Sequence, residues 1–98
     1  MSTIDITVAH CFSQDEALRR TRGLLERIQK QFAGAINDLQ QEWNGNTGTF
    51  GFSVMGLSIS GKLYVEPSEV KLTADLPFAA VFFKDKIESV IREQLENL

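Results

Sequence analysis

The run from Leu57 to Phe83, LSISGKLYVEPSEVKLTADLPFAAVFF, decides the fold of this 98-residue chain. Leu57, Ile59, Leu63 and Val65 point one way and Ser58, Ser60, Lys62 and Tyr64 the other. That is the two-residue period of a half-buried strand, with Gly61 as a bend or a point of close packing. After the turn at Glu66-Pro67-Ser68, Val70, Leu72, Ala74 and Leu76 alternate with Lys71, Thr73 and Asp75 and make the next strand. Pro77 suits the first turn of a helix, and there the pattern changes. Phe78, Ala79, Ala80, Val81, Phe82 and Phe83 are consecutive apolar residues, more than one core-facing stripe can hold.

Working outward, Phe50, Phe52 and Val54 alternate with Thr49, Gly51 and Ser53 in an earlier strand, and Met55-Gly56 marks the turn or bulge after it. Leu39, Gln41 and Trp43 share one parity, with Asn44-Gly45 as a hairpin signal because both residues tolerate positive φ. At the N-terminus, Ile4, Ile6 and Val8 predict a strand from about Thr3 to His10. Ser13 and Glu16 form a capping box that opens a helix near Gln14, with Phe12 placed to staple onto Ala17. Ala17, Leu18, Thr21, Leu24, Leu25, Ile28 and Phe32 recur at spacings of three and four, and Gly34 predicts a stop near Ala33. In the C-terminal helix the corresponding stripe is Phe83, Ile87, Val90, Ile91, Gln94 and Leu98. The expected architecture is an α+β domain over residues 1–98, ordered β-α-β-β-β-β-α. Its five-stranded, mainly antiparallel sheet is covered on one face by two helices, making two layers.

An apolar fraction of 43% with 23% charged residues is that of a globular chain with one core. Ten Lys and Arg against thirteen Asp and Glu leave a net charge of -3, which provides no basic field for nucleic acid. Cys11 is the only cysteine, so no internal disulfide forms; it is expected to be a small buried or half-buried hydrophobe. The start Met1-Ser2-Thr3-Ile4-Asp5 lacks a signal-peptide pattern, and no apolar run approaches the ~20 residues of a membrane span. The expected location is cytoplasmic.

The residues offer little catalytic chemistry. His10 is the only histidine and the one candidate for proton transfer, so it is the possible functional histidine. Asp5 and Cys11 have the opposite parity and do not present themselves to it, and a structural or capping histidine explains it as well. One His beside one Cys lacks the spacing of a metal site, and the glycines punctuate hairpins rather than a phosphate loop. No catalytic residues, metal or cofactor are therefore expected. The basic residues of the first helix, Arg19 to Lys30, are interrupted by Glu26 and read as a solvated face. The surplus at Phe78, Val81 and Phe82 remains, and three occupants suit it: the domain's own core, a homodimer contact, or a foreign apolar surface.

Three stretches carry a resemblance over nearly the whole chain: Ile4-x-Ile6 leading to His10, "GLSISGKLYV" from Gly56 to Val65, and "LPFAAVFFKDKIESVI" from Leu76 to Ile91. They resemble the putative polyhydroxyalkanoic acid system proteins, a bacterial family encoded near polyhydroxyalkanoate metabolism genes. This chain departs in having Pro77 where glycine is usual and Ala79-Ala80-Val81 in place of a leucine-rich stretch. The resemblance brings no catalytic residues and implies a role at or near polyester storage granules. Two expectations follow: an accessory, non-enzymatic protein touching a granule or granule protein through the apolar helix start, or a small carrier holding an acyl or hydroxyacyl ligand in a sheet-helix cleft.

Overall fold

The computed structural model describes residues 2–32 and 34–98. Five strands, β1 (Ser2–Ala9), β2 (Ile36–Asn44), β3 (Thr47–Val54), β4 (Leu57–Val65) and β5 (Glu69–Leu76), form one sheet in the order β1-β5-β4-β3-β2. Every pairing is antiparallel. The chain crosses from one sheet edge to the other through α1 (Gln14–Arg22) and α2 (Leu24–Gln31), then returns strand by strand until β5 lies beside β1. A six-residue 3-10 helix, Phe78–Phe83, leads into α3 (Lys84–Glu96).

Turn chemistry sets the register. Val54 pairs with Leu57, so Met55 (φ 53°) and Gly56 (φ 80°) form a two-residue loop with both residues left-handed, the pattern of a type I′ turn. At the preceding hairpin Asn44 pairs with Thr47, so the loop is Gly45-Asn46 rather than Asn44-Gly45. Gly45 alone takes the positive φ there, at 63°. Gly61 is a point of close packing. A Cβ at this position would stand 2.7 Å from Cζ of Phe50, its cross-strand partner, 2.9 Å from the Ala74 Cα, and against the Thr73 carbonyl oxygen.

One sheet face is buried. Ile4, Ile6, Phe50, Ile59, Leu63, Val65, Val70, Leu72, Ala74 and Leu76 meet Ala17, Leu24, Leu25, Ile28, Ile91 and Leu95 of the helices. The other face, with Thr3, Asp5, Thr7, Ser58, Ser60 and Lys62, is open to water.

The helices differ from expectation in three places. The first is broken at Gly23, whose N–H bonds to the Thr21 carbonyl and whose intrinsic helix preference is poor. Two residues earlier the fully buried Thr21 hydroxyl donates to the Ala17 carbonyl at 2.7 Å, a bond that favours bending. α2 ends at Gln31; Ala33, the expected stop, lies outside the described residues. Secondly, the capping box is half made. The Ser13 hydroxyl accepts the Glu16 N–H at 3.2 Å, but the Glu16 carboxylate is taken by Arg19 and Arg20. The hydrogen bond from Arg19 holds that carboxyl below its ordinary pKa. Thirdly, Phe83 is not a core residue. The segment winds with three residues per turn before α3 begins, so Ala80 is the residue it buries and Phe83 stays 43% exposed. Leu95 completes the α3 stripe instead. Cys11, expected to be at least half-buried, is exposed, because the chain leaves the sheet at Ala9 and no core face receives the thiol.

Candidate functional site

The apolar surplus divides in two. Because residues three apart eclipse in a 3-10 helix, Ala80 and Phe83 share one side, on which Ala80 is buried and Phe83 lines a cleft. Phe78 and Phe82 fall outside that side and are 81% and 87% exposed, while Val81 is half-buried. Pro77, in extended conformation at φ -63°, starts the turn, and the Ala80 N–H closes it on the Pro77 carbonyl at 2.9 Å. The two phenyl rings thus stand on a short, anchored segment rather than a loose loop.

Next to this segment the helical layer is incomplete. Between α2 and the first half of α3 an apolar cleft of about 250 Å³ opens over the far ends of β2, β3 and β4. Ile28 and Phe32 come from the helical side, Phe52, Val54 and Leu57 from the sheet, and Phe83, Ile87 and Val90 from the C-terminal segment. Met55, 74% exposed at its turn, lines the rim. Several of these side chains are only half-buried although they face the core, since the split first helix and the 3-10 start of the last leave sheet uncovered here. Farther along, Gln94 donates to the Gln31 side-chain oxygen at 2.8 Å and ties α3 to α2. Lys86 is the single charged residue among the described residues of the lining.

His10 lies elsewhere. Ala9 pairs with Glu69 and Ser2 with Leu76, so the β1–β5 ladder separates His10 from Phe78 by about eight residues of strand, roughly 25 Å. The Phe12 N–H donates to His10 Nδ1 at 3.1 Å, which requires Nε2 to carry the proton it donates to the Glu66 carbonyl at 3.0 Å. The His10 N–H also donates to the Ser68 carbonyl at 2.9 Å. The imidazole thereby clips the exit of β1 to the β4–β5 turn, and Gln14 adds a bond to the Val65 carbonyl at 2.9 Å. Both ring nitrogens are engaged by backbone.

Sequence reasoning singled out Phe78, Val81 and Phe82 from excess hydrophobicity, and the fold keeps them together on one segment, away from His10. It named a cleft without its walls. The signal was available in the core-parity residues Phe52, Val54 and Leu57 beside turn-forming Met55-Gly56, but their incomplete cover depends on where the helices break. Among the described residues no helix is long and apolar enough to cross a membrane.

No curated protein matches the chain. Residues 4–98 match one family model, described as putative polyhydroxyalkanoic acid system protein.

Proposed function

The chain belongs to the family of putative polyhydroxyalkanoic acid system proteins, and from that premise we propose that it is a non-enzymatic accessory protein that seats on the polyester granule surface through Phe78 and Phe82. The observation that carries this reading is their exposure, 81% and 87%, on a segment anchored at both ends. Water penalises large apolar rings left in contact with it, and a hydrophobic polymer surface removes that penalty without needing a shaped partner. Val81, half-buried, follows Phe78 by three residues and shares its side of the segment. A granule-coating protein or a second copy of the chain presents a similar apolar surface, and these are the rival occupants. In the deciding experiment, purified polyester granules are mixed with the wild-type protein and with the Phe78→Ser/Phe82→Ser variant. Equal partition of the two folded proteins refutes the reading.

A second reading is favoured by the apolar cleft between α2 and α3. Its lining suits an acyl chain, which makes the protein a small carrier rather than, or as well as, a surface protein. Calorimetry with acyl-chain ligands tests it, and absence of saturable binding removes it.

A further inference from the structure

This inference rests on the carrier reading and specifies its ligand. An apolar cavity of 150 Å³ accommodates benzene, about 25 Å³ per carbon, so by the same ratio a 250 Å³ cleft holds about ten carbons. Its described lining has no hydroxyl, amide or carboxylate side chain, so the buried part of the ligand has nothing polar to meet and must be plain hydrocarbon. The exception is Lys86, in the first turn of α3 and exposed to solvent.

Among the described residues Lys86, like Arg22, Arg27, Lys30, Lys62 and Lys84, is in no ion pair, and of these six it is the one that lines the cleft. A cation at the rim of an otherwise apolar slot matches a molecule with one hydrocarbon tail and one anionic end. A thioester or an alcohol would fill the slot but offer the ammonium group only a neutral acceptor, a weaker partner than an anion. We propose that the cleft binds a free unbranched carboxylate of about ten carbons, its tail between α2 and the β3–β4 hairpin and its carboxylate beside Lys86 Nζ.

The test is calorimetry on the full-length protein with octanoate, decanoate, dodecanoate, tetradecanoate and decanol, each below its micellar concentration. Lys86→Gln and Ala35→Trp are the variants; Ala35 is an exposed lining residue, so the larger ring fills the cleft without entering the core. Affinity should rise about four-fold per methylene up to decanoate and then level off. Lys86→Gln should weaken decanoate roughly three- to ten-fold and leave decanol unchanged. Ala35→Trp should weaken both by more than ten-fold. Failure of both decanoate and decanol to bind overturns this inference together with the carrier reading. Decanol binding as tightly as decanoate, with Lys86→Gln neutral, leaves the carrier reading standing and overturns the anionic ligand. Affinity that climbs undiminished through tetradecanoate overturns the ten-carbon length.

Discussion

Replacing Phe78 and Phe82 with serine separates surface seating from every structural role these residues have. Full burial of a phenylalanine side chain yields about 1.5–3 kcal/mol. With four-fifths or more of each ring facing water, nearly all of that gain is still to be realised on binding. Two rings then contribute roughly 2.5–5 kcal/mol, so the double variant should lose at least about 50-fold in its partition onto polyester particles, since 1.4 kcal/mol is ten-fold. Stability should stay within about 0.5 kcal/mol of wild type, because neither ring belongs to the buried cluster. The assay is sedimentation of polymer particles with graded protein, read by depletion of the supernatant, alongside urea unfolding of each protein. Retention of the variant within five-fold of wild type refutes the reasoning. So does a stability loss above 2 kcal/mol, which would mean that the rings support the fold.

Three other substitutions test the account of the fold. Gly61→Ala places a methyl group against the Thr73 and Ala74 backbone and the Phe50 ring, and overpacking of this kind costs about 1–3 kcal/mol; a lowered urea midpoint with unchanged slope is expected. His10→Ala removes the bonds to Glu66 and Phe12 and should cost about 1–2 kcal/mol by the same measurement, and a neutral result would show that the clip contributes nothing. Met55→Asn relieves a non-glycine residue at φ 53° in the type I′ turn and should stabilise by about 0.5–1 kcal/mol, seen as a raised thermal midpoint.

The strands were legible because sheet period and turn chemistry are local: Leu57 to Val65 and Val70 to Leu76 each alternate, and positive-φ residues or prolines mark the reversals. Membership of the polyhydroxyalkanoic acid system family was legible too, in residues spread from Ile4 to Ile91, and the family match spans 4–98. What failed was helical phase. A continuous 3.6-residue period from Pro77 puts Phe83 in the core, whereas six residues wound with three per turn place it at a cleft rim, and nothing in Phe78–Phe83 alone announces the tighter winding. Likewise Gly23 lies within the span of a well-formed apolar stripe, whose unbroken spacing hides the helix break there beside the buried Thr21. The cleft follows from both misfits at once, so it could not be read from either segment separately.

The place of β1 in the sheet has a consequence for how the chain folds. β2 to β5 each pair with a sequence neighbour through a short turn, but among the described residues the one partner of β1 is β5, so Ser2–Ala9 cannot make this pairing until Glu69–Leu76 has been synthesised. Closing that long loop is the most costly contact in entropy, and non-local pairing slows folding. The hairpins should therefore form first, with β1 docking late beneath α3. Ile4→Val and Ile6→Val should accelerate unfolding while scarcely changing the folding rate, the opposite of Ile59→Val, and equal effects on folding at all three positions would count against this order. The strand earliest in this sequence is in this sense the last one the sheet receives.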